Sequence, residues 1–428
     1  MTGGDLGGNN DLCLLSLDGG GVRGLSSLYI LRCIMVKMNA ERQKRGESDA
    51  KPCEVFDLIG GTSTGGLIAI LLGRLEMNVD ECLTVFKDAM CEIFGRRVHS
   101  AKFKLRNGQL QHGFSPDKLK EAIQKALILK NIPIDEPYDN GQERTCRTFV
   151  VARRVESNSH VLIRDYTLSG EENYDKLTIV EAALATSAAS TFFPPLEANG
   201  KLYVDGALGD NNPTPLVYQL AQDTWARDDG RLDSYLNCFI SIGTGRPGFS
   251  GIESSALAFL SKTLKEIATQ TEETEQKFAK TNRCLLNKPE EQVYFRFNVD
   301  SGLDSIGLEE HDKADVIEIA TFNYLEQYQW RKFELGRCAR RISQKQKPDN
   351  EWIKPPSATK FSNVPQRHRY FVGRDGDLDT LRRRLSPSTK TAESKPKSCL
   401  IHGMGGMGKT QLSRAYSDDS NYDFHFWV

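Results

Sequence analysis

Residues 55–73 have the sequence VFDLIGGTSTGGLIAILLG, which combines three local patterns in one short stretch. VFDLIG is a brief apolar run that is typical of a buried strand. GTSTG, at residues 61–65, has glycines on both sides of a serine and predicts a tight turn. LIAILLG is apolar on every side, which predicts a buried helix too short to cross a bilayer. The stretch therefore predicts a strand, a sharp turn and a helix in direct succession.

The same succession occurs at the start of the chain. LCLLSL begins at Leu12 and predicts a strand, DGGGVRG at 18–24 interrupts it, and LSSLYILRCIMVKM has helical length. Further apolar runs that predict strands are FVVA at 149–152, HVLI at 160–163, LYVD at 202–205 and CFISIG at 238–243. Because strands that alternate with helices build parallel sheets, we expect an α/β fold whose mainly parallel sheet is covered on both faces. Charged amphipathic stretches at 254–280 and 312–341 predict helices on the rim of this domain.

Composition and charge narrow the class of protein. The chain has 428 residues, of which 39% are hydrophobic and 26% charged, as expected for a soluble globular protein. A formal net charge of -1 argues against binding to nucleic acid through bulk positive charge. The 10 cysteines include no C-x-x-C pair, so we expect reduced thiols and no metal site. No apolar run is long enough to cross a membrane and no leader is apparent, so we expect a cytoplasmic protein with only peripheral membrane contact.

The serine in GTSTG has the setting of a catalytic nucleophile. A serine on a sharp turn between strand and helix is lifted clear of the sheet, and the strained backbone there tolerates only small neighbours. Gly61 and Gly65 meet that requirement, with Thr62 before Ser63 in the turn. The helix that begins near Gly65 points its N–H groups at the negative charge that develops during acyl transfer. The alternative is a plain glycine–serine turn, and the flanking apolar strand and helix favour the nucleophile.

A glycine-rich loop follows the first predicted strand and consists of Gly19, Gly20, Gly21, Val22, Arg23 and Gly24. It fits the G-x-G-x-x-G pattern of dinucleotide-binding loops, but that fold needs a strand ending in an acidic residue ~20 positions later. The sequence there, AERQKRGESDAK at 40–51, is a polar connection. We therefore prefer an oxyanion hole, in which backbone N–H groups of this loop and of Thr64 stabilise a tetrahedral intermediate. Arg23 either steadies the loop or attracts an anionic head group.

Ser63 needs a base to remove its proton. The 7 histidines occur in no suggestive context, so a Ser–Asp dyad is more economical than a triad. Asp205 ends the apolar run LYVD and precedes Gly206 and Ala207, which places a carboxylate on a glycine turn at the end of a predicted strand. A carboxylate is a weak base at its usual pKa of ~4, so we expect it to be partly removed from water. Asp18, also at a strand end, is either the competing base or a residue that braces the loop.

Three motifs in order, DGGGVRG, GTSTG and DGA, together with ATSAASTFFPP at 185–195, resemble the patatin-like phospholipases. The resemblance covers roughly residues 12–341. It implies a patatin-like three-layer α/β/α fold with Ser63 as nucleophile, Asp205 as base and the glycine loop as oxyanion donor. It also implies hydrolysis of phospholipids or other acyl lipids through an acyl-enzyme, without histidine, calcium or any cofactor. DGA at 205–207 stands where many members have DGG, and alanine is still small.

A second glycine-rich motif lies near the end of the sequence. GMGGMGKT, from Gly403 to Thr410, matches the P-loop pattern, with Gly408 and Lys409 before its threonine. Its N–H groups would cradle phosphates, Lys409 would reach the β and γ phosphates and Thr410 would hold Mg²⁺. SCLIH before the motif and QLSRAY after it predict the strand and helix that a P-loop requires.

Together with FVGRDGDLDTLRRRL upstream and YDFHFWV downstream, this motif resembles the front of an NB-ARC nucleotide-switch domain, as in fungal immune-type receptors. We assign residues 12–343 to the acyl hydrolase, with its motif-bearing core at 12–215, residues 344–366 to a proline-containing linker, and residues 367–428 to the NB-ARC fragment. Because so little sequence follows Thr410, we expect ATP or ADP with Mg²⁺ to bind only to a complete NB-ARC domain. The alternatives to a working hydrolase are a catalytically silent effector module of such a receptor and an independent ATPase.

Two weaker signals each allow two interpretations. GRRVHSAKFKLRNGQ at 95–109 concentrates basic side chains, which either dock on anionic lipid or form a solvated loop. Phe192 and Phe193 either line an acyl pocket or pack in the core.

Overall fold

A computed structural model of the chain describes residues 11–95, 105–106, 109–110, 114–168, 175–189, 192–226, 232–233, 235–246, 257–286, 291–304, 306–345, 361–362, 375–385, 401, 410, 412–413, 415–416 and 424–425. The chain divides into two compact units, Met1–Lys354 and Pro355–Val428.

The strands are β1 Leu12–Leu17, β2 Leu58–Thr62, β3 Leu105–Arg106, β4 Gln109–Leu110, β5 Arg147–Arg154, β6 His160–Arg164, β7 Leu196–Ala198, β8 Lys201–Asp205, β9 Leu236–Ile242, β10 Tyr294–Phe297, β11 Phe361–Ser362 and β12 Phe424–His425. The helices are α1 Gly24–Lys44, α2 Pro52–Val55, α3 Thr64–Ala69, α4 Val79–Phe94, α5 Pro116–Leu129, α6 Ile179–Ser187, α7 Ala207–Asp210, α8 Thr214–Trp225, α9 Leu257–Thr281, α10 Ala314–Glu326, α11 Gln329–Ser343 and α12 Asp375–Leu385.

The first unit is built on one mixed sheet, with strand order β10-β9-β1-β2-β5-β8-β7 and β6 paired to β5. β10, β9, β1, β2 and β5 are parallel neighbours. β6 and β8 run antiparallel to β5, and β7 runs antiparallel to β8. The expected parallel sheet is therefore a five-stranded core, and the runs HVLI and LYVD belong to an antiparallel extension of it.

Helices cover both faces of this sheet, because its central strands are apolar on both sides. In β1, Cys13, Leu15 and Leu17 face one hydrophobic core, while Leu12 and Leu14 face a second core on the opposite side. The larger core contains buried residues of α1, α3, α4, α5 and α6, and the smaller one contains residues of α8. Continuous apolar strands of this kind are typical of parallel sheets covered by helices on both faces.

The helical stretch expected on the rim at 312–341 is divided into two helices. Tyr328, with φ −127° and ψ 138°, is extended and separates α10 from α11. Leu335, Cys338 and Ile342 of α11 are fully buried in the larger core. The two helices therefore belong to the layer that covers the sheet.

The second unit has its own small apolar cluster. Leu378 and Leu381 of α12 pack with Leu412 and Ala415, which lie in the helical stretch expected from QLSRAY. Strands β11 and β12 pair in parallel. Most of the predicted strand SCLIH lies outside the described residues. None of the described helices is both long enough and apolar enough to cross a membrane.

Candidate active site

Ser63 lies in the turn between β2 and α3, in a backbone conformation that few non-glycine residues adopt. Its φ and ψ are 56° and −127°, a backbone conformation that costs about 1–3 kcal/mol. This conformation directs the side chain away from the sheet. The Ser63 N–H donates to the Thr186 hydroxyl at 2.9 Å, which in turn donates to the Val151 carbonyl at 2.7 Å. A Cβ atom on Gly61 would overlap the carbonyl of Gly65, so glycine is required there. The chain thus holds Ser63 in the strained geometry of an exposed nucleophile.

Asp205 reaches the same edge of the sheet from the opposite direction. β8 is antiparallel to β5 and pairs only with the last three residues of β5, which places Asp205 beside Ala152. β2 is parallel to β5, and Thr62 lies beside Val151, one residue earlier in β5. The ends of β2 and β8, which carry Ser63 and Asp205, therefore meet at one level of the sheet.

The Asp205 carboxyl is buried and holds its proton unusually tightly. Burial raises its pKa from 3.8 to about 7, while the Ser63 hydroxyl and the Ala207 N–H oppose this rise by stabilising the charged form. Oδ1 accepts from the Ala207 N–H at 2.8 Å. Oδ2 is buried and makes no hydrogen bond of normal geometry with any described residue, although the Ser63 hydroxyl is close enough to lower the carboxyl pKa. Asp205 is therefore a base whose pKa is close to neutral pH.

Most N–H groups of the glycine loop already have acceptors within the protein. The N–H groups of Gly19, Val22 and Arg23 donate to the backbone carbonyls of Asn211, Leu308 and Gly20, and the Gly20 N–H donates to Thr64 Oγ1, all at 2.9–3.2 Å. The Gly24 N–H donates within its own helical turn. Of the seven predicted donors, the N–H groups of Gly21 and Thr64 have no acceptor among the described residues. These two N–H groups border the cavity that contains Ser63, which narrows the candidate oxyanion hole to them.

Ser63 and Asp205 open into a cavity of about 120 Å³. The glycine loop forms a polar side of this cavity. Its large apolar lining residues are Leu67, Met90, Ile93, Phe94, Leu119, Phe192, Phe193 and Leu308. Phe114 packs behind them, with its ring centroid 4.8 Å from that of Phe94. Phe192 and Phe193, which had two interpretations, line the cavity and also pack in or against the larger hydrophobic core.

Comparison with known proteins finds similar sequences. Residues 15–218 match the family model described as Patatin-like phospholipase. This segment resembles a patatin-like phospholipase domain, and we call it the patatin-like domain. Rattus norvegicus calcium-independent phospholipase A2-gamma is 25% identical over 349 residues, covering 80% of this chain and 42% of that protein. Patatin-like phospholipase 1 of Plasmodium falciparum is 27% identical over 363 residues, covering 77% and 49%.

The chain spans less than half the length of these two curated relatives. Among solved structures, VipD from Legionella pneumophila aligns with a TM-score of 0.32 and 11% identity, over 74% of this chain and 67% of the VipD chain.

Asp18, the competing base, is already paired in the patatin-like domain. Its two carboxylate oxygens accept from Arg296 Nη1 at 3.0 Å and Nη2 at 2.6 Å. Burial raises the pKa of Asp18 to about 6, and the Arg296 guanidinium opposes that rise. The Asp18 N–H also donates to Ile242 O at 3.0 Å. These bonds fit the alternative role in which Asp18 braces the glycine loop.

Three polar side chains that support the patatin-like site were missed by the sequence analysis. Thr186 holds the Ser63 backbone, Asn211 Nδ2 donates to Gly19 O at 3.3 Å, and Thr244 Oγ1 donates to the same carbonyl at 2.8 Å. ATSAAS and the polar run after DGA contained signals for Thr186 and Asn211. No sequence signal marked Thr244, because it lies two residues after β9 and is far in sequence from Gly19.

Arg23 faces the cavity of the patatin-like domain with an incomplete set of partners. Its Nε is buried and has no hydrogen-bond partner among the described residues. Burial lowers the pKa of Arg23, while Asp304 and Glu309 raise it. An arginine remains charged at neutral pH under these conditions, so it supplies positive charge beside Ser63.

The other candidate sites are described only in part. Gly403, Gly408 and Lys409 of the P-loop lie outside the described residues, and Thr410 is helical. Most of the basic stretch 95–109 also lies outside them. Within the part of the chain that is described, no group of three or more His, Cys, Asp or Glu could hold a metal ion.

Proposed function

We propose that the protein is a serine lipid acyl hydrolase of the calcium-independent phospholipase A or lysophospholipase type. The observation that carries this proposal is the meeting of a strained Ser63 with a buried carboxyl whose pKa is about 7, at the floor of a largely apolar cavity. A neutral serine hydroxyl is a poor nucleophile, and a nearby base of this strength is what activates it.

In the first half of the reaction, Ser63 Oγ attacks the ester carbonyl while ionised Asp205 accepts its proton. The N–H groups of Gly21 and Thr64 donate to the oxygen that becomes negative, and each such bond is worth about 3 kcal/mol of barrier. Asp205 then gives the proton to the departing alcohol. An acyl-enzyme remains on Ser63.

The cavity favours acyl lipids over polar esters. Apolar side chains form most of the lining described above, and an acyl chain placed there leaves water, which stabilises binding by about 0.8 kcal/mol per methylene. Arg23 supports a phosphate-bearing head group, because its guanidinium offers donors and charge on the polar side. The names of the relatives, which include a calcium-independent phospholipase A2, support the same substrate class.

We further propose that residues 367–428 are the front of an NB-ARC P-loop domain, which makes the hydrolase the effector of a nucleotide switch. GMGGMGKT and the helical residues that follow Thr410 support this assignment. Nucleotide and Mg²⁺ would bind only where that domain is complete. We place the action of the hydrolase at the cytoplasmic surface of membranes, through peripheral contact.

The test uses the purified chain, phospholipid vesicles and released fatty acid as the readout. We expect hydrolysis by the wild type, no change with EDTA, and a loss of at least about 10³-fold in Ser63→Ala. Equal rates for the wild type and Ser63→Ala would reject the hydrolase. Absence of activity in both, on vesicles and on short-chain esters, would favour the silent effector module.

A further inference from the structure

Residues Thr186–Ala188 connect the two reactive residues. On one side, the Thr186 hydroxyl accepts from the Ser63 N–H at 2.9 Å. On the other side, the Ala188 carbonyl accepts from the Asp205 N–H at 3.0 Å. Ser187 lies between these two bonds, at the end of α6, and lines the same cavity as Ser63 and Asp205. The backbone therefore fixes Ser187 beside the place where the chemistry occurs.

Two buried polar atoms in this cavity lack a hydrogen bond of normal geometry. The Ser187 hydroxyl has none among the residues that the structure describes, and Asp205 Oδ2 has only the nearby Ser63 hydroxyl, whose hydrogen is lost once Ser63 carries the acyl group. Ser187 is only 6% exposed, so bulk water does not solvate it freely. A buried polar atom without a partner destabilises the fold by about 1–3 kcal/mol. An arrangement that keeps two such atoms in a reaction cavity is suited to a small molecule that bonds to both.

We propose that Ser187 positions the water that hydrolyses the acyl-enzyme. In this arrangement, one hydrogen of the water is donated to Ser187 Oγ and the other to Asp205 Oδ2. The water oxygen then keeps a lone pair for the acyl carbonyl on Ser63. The inference rests on the proposed acyl-enzyme and deepens it, because it assigns a residue to the second half of the reaction.

The step balances without a further reactant. The water oxygen forms a bond to the acyl carbon as Asp205 takes one of its protons. The bond between that carbon and Ser63 Oγ then breaks, and Asp205 returns the proton to Ser63 Oγ. The products are a carboxylic acid and the free hydroxyl of Ser63.

The role of Ser187 is specific to water, which makes it separable from general support of the site. An alcohol that attacks the acyl-enzyme has a single hydroxyl hydrogen, and it must give that hydrogen to Asp205. Methanol therefore cannot use Ser187 in the way that water does. Loss of the Ser187 hydroxyl should slow hydrolysis more than methanolysis.

The first test is the kinetics of Ser187→Ala on p-nitrophenyl butyrate, whose good leaving group makes acylation fast. We expect kcat and KM to fall together by about tenfold, which corresponds to the loss of one hydrogen bond. Because kcat/KM reports acylation, it should stay within about twofold of the wild type, and a burst of p-nitrophenol should appear. Equal falls in kcat and kcat/KM without a burst would overturn the proposal.

The second test measures the ratio of methyl butyrate to butyric acid when methanol is present. This ratio depends only on the active molecules, so partial misfolding does not affect it. We expect Ser187→Ala to raise the ratio about tenfold and Ser187→Thr, which keeps a hydroxyl, to leave it unchanged. A wild-type ratio in Ser187→Ala would overturn the inference.

If Ser187→Ala yields no folded protein, Ser187→Cys takes its place, because sulfur is a weak acceptor. A raised ratio in Ser187→Cys beside an unchanged one in Ser187→Thr supports the inference, and equal ratios overturn it. Ser63→Ala separates the two proposals. Full activity in Ser63→Ala removes the acyl-enzyme itself, whereas inactive Ser63→Ala with a normal Ser187→Ala removes only the role of Ser187.

Discussion

Replacing Asp205 with asparagine should stabilise the folded protein at alkaline pH while it removes activity. The pKa of the carboxyl is 3.8 when solvated and about 7 when folded, because burial disfavours the charge. The folded protein thus binds this proton more tightly than the unfolded chain. The resulting stability is fully present below pH 3.8 and is lost as the pH rises through about 7. Each pH unit between the two values is worth about 1.36 kcal/mol, so the ionised carboxyl destabilises the fold by about 4 kcal/mol at most.

Asparagine carries no titrating carboxyl, so the free energy of unfolding of Asp205→Asn lacks the loss that the wild type shows as the pH rises. Between pH 5 and pH 9, the free energy of unfolding of the wild type should fall by about 3 kcal/mol relative to Asp205→Asn. Urea denaturation of both proteins at pH 5, 7 and 9 measures this difference, and other titrating groups cancel in the comparison. A difference that stays within 0.5 kcal/mol across this range would refute the account of Asp205. Ser63→Ala is the control, since loss of the Ser63 hydroxyl should move the midpoint of the dependence to higher pH.

Three further outcomes follow from the same geometry. In the wild type, kcat/KM should rise about tenfold per pH unit below pH 7 and level off above it, because Asp205 must be ionised to accept a proton. A profile of kcat/KM that is flat from pH 5 to 9 would contradict this. Gly19→Ala should lower kcat about 100-fold and also lower Tm, because the new Cβ would lie 2.4 Å from Asn211 Oδ1 and 2.9 Å from Ser63 Cβ and displace both side chains; an esterase assay beside a melting curve tests this, and unchanged kcat would oppose it. Arg296→Met should reduce the free energy of unfolding by about 3–5 kcal/mol, because it leaves the Asp18 carboxylate buried and unpaired. A loss below about 1 kcal/mol in urea denaturation would show that the Arg296–Asp18 ion pair is not needed for stability.

The parts of the fold that were predictable depend on local patterns. The elbow at Ser63 needed only a buried strand, two glycines and an apolar helix, all within residues 55–73. Four strands of the parallel core, β1, β2, β5 and β9, follow from apolar runs, whereas β10 was not predicted because Arg296 interrupts its short run YFRF. The direction of β8 was not predictable, because a short strand such as LYVD has the same pattern whether it pairs in parallel or antiparallel.

The support around the site depends on contacts that are distant in sequence. Arg296 meets Asp18 across 278 positions, and no local pattern marks an arginine as the partner of a particular carboxylate. Gly21 and Thr64 are the candidate oxyanion donors because the other N–H groups of the loop find acceptors in the folded chain. Glycines in a loop predict close backbone approach, but they do not identify the N–H groups that remain available.

Labelling with a fluorophosphonate tests the central claim most directly, because this reagent bonds to a serine only when its hydroxyl is activated. The protein, Ser63→Ala and Asp205→Asn are treated in parallel, and peptide mass spectrometry locates the adduct. We predict a single adduct on Ser63 in the wild type, none in Ser63→Ala, and labelling at least about 100-fold slower in Asp205→Asn. An adduct on another serine, or equal rates in the wild type and Asp205→Asn, would contradict the pairing of Ser63 with Asp205.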